Sequence, residues 1–196
     1  MEYQILLGVI ASVIGLVSYV PYFRDMFRGK TKPHPFSWFV WGLLTAIAFF
    51  AQYAKDAGAG SWATGITAVA CLIIAVCALF YGEKRITPLD WWCFAGALAG
   101  ALFWAITSNP VAAVIIVTVT DAIAFIPTFR KGYAKPYEET ILTFSMSVLK
   151  FVFAIFALQS FSVATVLFPA SLVLSNGLFV AMILIRRRQI ATIVTT

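Results

Sequence analysis

Two charged residues lie near the middle of apolar runs, where a buried charge requires a partner. Asp121 lies in the run 109–129, and Lys150 lies in the run 140–159. Each run is about 20 residues long, which is the length of a helix that crosses a bilayer. A charge at the centre of a membrane helix costs about 2.5–3.5 kcal/mol on insertion scales, and such residues usually face the bundle interior and serve a site or pathway. We therefore expect the two side chains to form an ion pair or to share a substrate.

Further polar and aromatic side chains accompany this pair at helical spacing. Thr118 stands one turn before Asp121, and Ser147 stands one turn before Lys150, so each pair shares a helix face. Trp41 is a candidate stacking platform, with an interfacial anchor as the alternative. The predicted substrate-binding or coupling residues are Asp121, Lys150, Asn176, Trp41, Ser147, Thr118 and Tyr19.

The composition indicates an all-α membrane protein. Hydrophobic residues make up 62% of the chain and charged residues 11%, whereas soluble domains carry about 25% charged residues. Seven apolar runs have the length of a membrane helix rather than of a barrel strand of ~10 residues. These predicted spans are 4–23, 36–54, 62–81, 90–107, 110–129, 140–159 and 163–185.

The distribution of Lys and Arg predicts the orientation. One set of loops holds clusters such as Lys84-Arg85 and Arg186-Arg187-Arg188, whereas the opposite set holds only Lys55. Because Lys and Arg are enriched on the cytoplasmic side, we expect a cytoplasmic C-terminus, an outside N-terminus and a location in the cell membrane. The net charge of +6 reflects this asymmetry, and without a basic stripe of interleaved aromatics it does not indicate nucleic-acid binding.

An internal repeat divides the chain. The run Tyr19–Arg24 matches Phe125–Arg130 at an offset of 106, and Lys32-Pro33 matches Lys135-Pro136 at an offset of 103. The predicted units are 1–85, a linker helix 86–108 and 109–196, a 3+1+3 arrangement of parallel repeats. Pro21 and Pro127 occupy matched positions, which favours hinges over static kinks.

This pattern resembles the SWEET and PQ-loop transporter superfamily. Ser18-Tyr19-Val20-Pro21 is similar to the start of a PQ-loop motif, and Ser175-Asn176-Gly177-Leu178 is similar to a SWEET stretch whose Asn lines the sugar pocket. SWEETs are built from parallel repeats, and vitamin transporters of the PnuC type share the fold. An acidic residue in helix five, here Asp121, is similar to that of proton-coupled PQ-loop exporters.

The chain also departs from that family. Tyr22 and Thr128 stand where the family has Gln, and aromatic residues near Trp41 and Phe144 stand where SWEETs carry prolines in helices two and six. The resemblance therefore implies the fold and a transport cavity but does not imply sugar.

These observations favour a transporter of a small polar solute that works by alternating access, with a proton coupled through Asp121 as a further expectation. The alternative is a seven-helix receptor or sensor, similar either to retrieval receptors or to retinal-binding proteins with Lys150 as the attachment residue. An enzyme is not expected, because no intramembrane His, metal cluster or nucleophile–base pair is present. No metal or cofactor is expected. The partners are the solute, membrane lipid and, through Gly96 and Gly100, a second copy as a candidate.

Overall fold

A computed structural model describes residues 2–106 and 110–195. These residues form seven α-helices and two short 3₁₀ helices without a β-strand, which confirms the all-α prediction. The helices are α1 (Glu2–Phe27), α2 (Pro35–Tyr53), α3 (Trp62–Tyr81), α4 (Pro88–Ala105), α5 (Pro110–Ala134), α6 (Ile141–Phe156) and α7 (Val163–Thr195). The 3₁₀ helices are Gly58–Ser61 and Pro136–Glu138.

The distribution of apolar side chains suits a lipid environment. Within the described residues, four helical segments are long and apolar enough to cross a membrane: Glu2–Phe27, Pro35–Tyr53, Gly58–Tyr81 and Val163–Ala191. Large apolar side chains such as Val20 and Phe80 are 65% and 73% exposed, whereas Thr45, Asp121 and Lys150 are at most 1% exposed. An apolar surface with polar and charged groups buried inside is the arrangement that lipid favours over water.

The helix packing encloses a central space. α3 packs between α1 and α2, and α7 packs between α5 and α6. α1 contacts α6 and α2 contacts α5, so these six helices form a closed ring. α4 lies outside the ring against α5 and α2. Consecutive helices α5 and α6 therefore flank the central space with α7 between them, and residues on both can face it.

Several helix ends differ from the predicted spans. α1 continues past Pro21 to Phe27, and α5 continues past Pro127 to Ala134, so both prolines lie inside helices rather than at their ends. A helix can pass through a proline, since the ring removes one hydrogen bond and bends the axis without ending it. α7 also contains Pro169, which was not predicted as a bend. The predicted boundary near 107–109 lies outside the described residues.

The backbone at the end of α3 approaches the loop after α1 closely. A Cβ on Gly82 would lie 2.5 Å from the carbonyl oxygen of Pro33 and 2.3 Å from that of Ala78. The adjacent Glu83 N–H donates to the Pro33 oxygen at 2.9 Å. Both oxygens belong to backbone, so neither can move aside cheaply.

We predict that Gly82→Ala lowers the free energy of unfolding by about 1–3 kcal/mol, the usual cost of an overpacked contact. Thermal unfolding in detergent measures it. Gly96→Ala is the matched control, because a Cβ there meets nothing within 4 Å and alanine favours the helix. Equal unfolding temperatures for the two variants would contradict the close approach.

Candidate functional site

A cavity lies at the centre of the ring. Its volume is about 40 Å³, room for a few water molecules at the ~10–15 Å³ that each needs. All six ring helices contribute to its wall. The lining residues are Tyr19, Trp38, Trp41, Thr45, Thr67, Cys71, Asp121, Phe125, Thr143, Phe144, Ser147, Phe151, Leu172 and Asn176.

Asp121 is the acidic residue of the cavity wall, and it is unpartnered. Its side chain is 1% exposed, and neither carboxylate oxygen accepts a hydrogen bond from a described residue. An ionised carboxylate can accept about four hydrogen bonds, and a buried polar group without a partner is costly. Thr118, one turn earlier, does not line the cavity, and its hydroxyl also has no partner among the described residues.

Lys150 lies behind the cavity wall rather than in it. Its ammonium donates to the Tyr19 hydroxyl at 3.1 Å and lies 4.8 Å from the ring centroids of both Tyr19 and Phe151. A Cβ on Gly15 would lie 3.6 Å from the Lys150 Cδ, an ordinary van der Waals contact, so the lysine side chain packs against α1 at this position. Tyr19 therefore joins the lysine to the cavity.

The expected direct ion pair between Asp121 and Lys150 is absent, since both Asp121 oxygens lack any partner among the described residues. The helix order explains the difference. α7 lies between α5 and α6, and the lysine side chain turns towards α1 instead. Depth along each helix places both charges near mid-membrane, but it does not determine the direction in which each points.

Aromatic rings form much of the cavity wall. The ring centroids of Trp41 and Phe125 lie 4.3 Å apart, and those of Trp38 and Trp41 lie 5.3 Å apart. The Trp41 indole N–H has no acceptor among the described residues. The ring faces the cavity, as a stacking platform requires. Trp38 and Trp41 are 4% and 6% exposed, so the burial of Trp41 does not fit the alternative of an interfacial anchor.

Three polar side chains of the cavity wall donate hydrogen bonds to backbone carbonyls. Thr67 donates to the carbonyl of Ala63 at 2.7 Å, and Thr143 donates to that of Ser18 at 2.8 Å. The Asn176 side-chain amide donates to the Leu172 carbonyl at 2.7 Å, within its own helix. Asn176 and Ser147, both predicted as substrate-binding or coupling residues, line the cavity. The donors of Thr67 and Thr143 are therefore not free for a neutral, hydroxyl-rich solute.

The internal repeat could have identified two more residues of the cavity wall, Phe125 and Phe144. Tyr19 and Phe125 are matched at the offset of 106, and Trp41 and Phe144 are matched at the offset of 103. All four line the cavity. Wall residues without a matched polar or aromatic partner, such as Cys71, could not be singled out in this way.

Ion pairs join the loops at the end of the bundle that carries the basic residues. Lys131 pairs with Glu139 at 2.8 Å, Lys32 with Glu138 at 2.9 Å, and Lys135 with Glu83 at 2.7 Å. We call the six residues Lys32, Glu83, Lys131, Lys135, Glu138 and Glu139 the basic-end cluster. The cluster connects the loop after α1, the loop after α3 and the loop after α5, so it ties the helices of this end together.

Lys131 is the centre of the basic-end cluster. Its ammonium also donates to the carbonyl oxygens of Lys32 and of Glu138, the latter at 3.0 Å. The side chains of Lys131 and Glu139 are 1% and 2% exposed. Burial raises the pKa of Glu139 above its usual value, although the charge of Lys131 opposes this. The Glu139 carboxylate therefore depends on Lys131 to stay ionised.

Glu83 gives this end of the molecule a predictable response to acid. Burial raises the pKa of its carboxyl, but hydrogen bonds from the Lys135 ammonium and the Arg85 N–H, with the nearby positive charges, hold the pKa below the usual value. A pKa lowered by folding adds stability above the unfolded pKa of about 4.3, and this stability is lost as the pH falls through the folded value.

We predict that Glu83→Gln lowers the free energy of unfolding at pH 7 by about 1 kcal/mol and flattens its decline below pH 5. Thermal unfolding between pH 7 and pH 3 measures both effects. Glu2→Gln, at an exposed position in the first turn of α1, is the control and should leave the profile unchanged. An unchanged profile in Glu83→Gln would show that another group governs the acid response.

The sequence matches no family model, and neither a curated protein nor a solved structure matches it significantly.

Proposed function

We propose that the chain is an integral membrane transporter of a small solute that works by alternating access. The observation that carries the proposal is the cavity enclosed by six helices, with an unpartnered carboxylate in its wall. Intramembrane charges are expensive and mark solute pathways or proton relays. A purely structural bundle gains nothing from retaining a buried carboxylate without partners.

The proposed architecture is two parallel repeats, 1–85 and 109–196, joined by a linker helix, with seven spans in the cell membrane. The packing supports it, because the third helix of each unit lies between the first and second helices of that unit. In this arrangement α1 corresponds to α5 and α2 corresponds to α6. The contact of α1 with α6 is therefore equivalent to the contact of α2 with α5. The Lys and Arg distribution supports an outside N-terminus and a cytoplasmic C-terminus.

In this proposal the basic-end cluster closes the cytoplasmic side. Opening that side separates loops that the cluster joins, so ion pairs such as Lys131–Glu139 must break. Pro21 and Pro127 lie inside α1 and α5 on the way from the cavity to this end. Each removes one helix hydrogen bond, which lets these helices bend as the end opens. Proton coupling would use Asp121, the carboxylate at the cavity.

Cys71 offers a direct test, because its thiol lies in the cavity wall and is 3% exposed. In a Cys77→Ala/Cys93→Ala background, a membrane-impermeant methanethiosulfonate reagent is added to right-side-out or inside-out vesicles. Alternating access predicts modification of Cys71 from both sides. Modification from one side alone would indicate a receptor-like pocket, and protection from both sides would overturn the transporter proposal.

A further inference from the structure

The cavity combines a free carboxylate with aromatic faces. Asp121 contributes a carboxyl group, which a bound cation would keep ionised, and Tyr19, Trp38, Trp41, Phe125 and Phe144 contribute rings. Cations are attracted to the faces of aromatic rings within about 6 Å of the centroid, and desolvated sites strengthen this attraction. A carboxylate that accepts no hydrogen bond lacks a positively charged or hydrogen-bonding partner. One ligand class satisfies both features together.

We propose that the cavity binds a small organic cation, either a protonated amine or a quaternary ammonium, with its charge at Asp121 and its alkyl groups against the rings. The inference rests on the proposed function and names the class of solute. One cation of the protein already lies against aromatic rings of this region, since the Lys150 ammonium is 4.8 Å from the centroids of the Tyr19 and Phe151 rings. Lys150 does not occupy the place at Asp121.

The wall suits other solutes less well. A sugar requires many donors and acceptors, whereas Thr67, Thr143 and Asn176 already donate to backbone carbonyls. A transition-metal ion is less well suited, since the described residues contain no group of three or more His, Cys, Asp or Glu that could hold a metal. The cavity volume of about 40 Å³ is that of a closed state. An organic cation larger than this volume requires the cavity to widen.

The test is binding of choline to the purified full chain in detergent, followed by calorimetry and by tryptophan fluorescence. The uncharged isostere 3,3-dimethyl-1-butanol has the same shape without the charge, and glycine betaine adds a carboxylate. We expect choline to bind at least about tenfold more tightly than either. Equal binding of the isostere, or tighter binding of betaine, would overturn the proposal.

Substitutions at Asp121 and at Trp41 test whether choline binds in this cavity. Asp121→Asn keeps the size of the side chain and should weaken choline binding by at least about 30-fold, the scale for one partner of a buried charge pair. Asp56→Asn is the matched control, because Asp56 is exposed and its φ of 53° is one that asparagine tolerates. Unchanged binding in Asp121→Asn overturns the proposal.

Trp41→Leu keeps the test decisive if Asp121→Asn fails to fold. Loss of the ring should weaken choline binding about five- to thirtyfold while leaving any binding of the isostere nearly unchanged. Equal losses for both ligands would contradict a cation at this ring. Binding of glucose but not of choline, with Cys71 modified from both sides, would overturn this inference and leave the transporter proposal standing. Protection of Cys71 from both sides would overturn the transporter proposal itself.

Discussion

Replacing Lys131 with methionine is expected to destabilise the protein by about 3–5 kcal/mol, the cost of removing one partner of a buried ion pair. The side chains of Lys131 and Glu139 are 1% and 2% exposed, so water cannot replace the lost ammonium. The carbonyl oxygens of Lys32 and Glu138 lose the same donor. Methionine has a similar length but donates to none of these groups. Thermal or chemical unfolding in detergent measures the loss.

The pH dependence separates this ion pair from a general packing effect. Burial already raises the pKa of Glu139, and Lys131 is the main opposing influence. Without the lysine this pKa rises further, so the carboxyl takes up a proton more readily and the cost of the variant falls. The difference in stability between wild type and Lys131→Met should therefore shrink as the pH is lowered from 7 to 5. A difference that does not change with pH would point to packing alone.

Two further variants control the Lys131 experiment. Lys135→Met removes an ammonium whose side chain is 38% exposed, so its loss should cost less than about 1 kcal/mol. Lys131→Met/Glu139→Gln removes both charges and should recover part of the stability. A cost for Lys131→Met no larger than that for Lys135→Met would contradict a central role for the buried pair.

The Lys131 variant also bears on the proposed gating. If the basic-end cluster closes the cytoplasmic side, its weakening shifts the population towards the state open on that side. Cys71 should then be modified faster from the cytoplasmic side than in the wild type, and no faster from the outside. Faster modification from both sides would indicate loosening of the whole fold rather than of one gate.

The fold class and part of the cavity could be predicted because both follow from the cost of polarity in lipid. An apolar run long enough to cross a bilayer must be helical, and a charge such as Asp121 in that run must face inward. Tyr19, Trp41, Ser147 and Asn176 line the cavity with it. Pro21 and Pro127 were predicted as hinges, and both lie inside helices that continue beyond them.

The pairing of the charges could not be predicted, because it depends on the order of helices around the ring and on side-chain direction. α7 separates α5 from α6, and Lys150 turns towards Tyr19. Neither the helix order nor the direction of the lysine side chain can be inferred from the spacing of residues in the sequence. The basic loops indicated an orientation, but their pairing with Glu83, Glu138 and Glu139 depends on loops far apart in sequence. Thr118 illustrates the same limit, since helical spacing next to Asp121 did not bring it into the wall.

The same substitution at the second fully buried lysine of the described residues should have the opposite effect. Lys150→Met is expected to stabilise the protein by about 1–4 kcal/mol, as apolar replacements of costly buried charges do. Lys150 is 0% exposed, its ammonium donates to the neutral Tyr19 hydroxyl, and no carboxylate among the described residues pairs with it. Unlike Lys131, it leaves no buried counterion behind when it is removed.

On the cation site proposed above, a role in ligand release would account for the presence of Lys150. Its positive charge lies behind the Tyr19 ring of the cavity and would repel a bound cation, which would favour release. Lys150→Met should therefore bind choline more tightly and exchange it across proteoliposomes more slowly, while unfolding at a higher temperature. Lys55→Met, at an exposed position, should change none of the three. A less stable variant with weaker choline binding would instead mean that the ammonium holds Tyr19 and the cavity in shape, and the lysine would then be a structural residue.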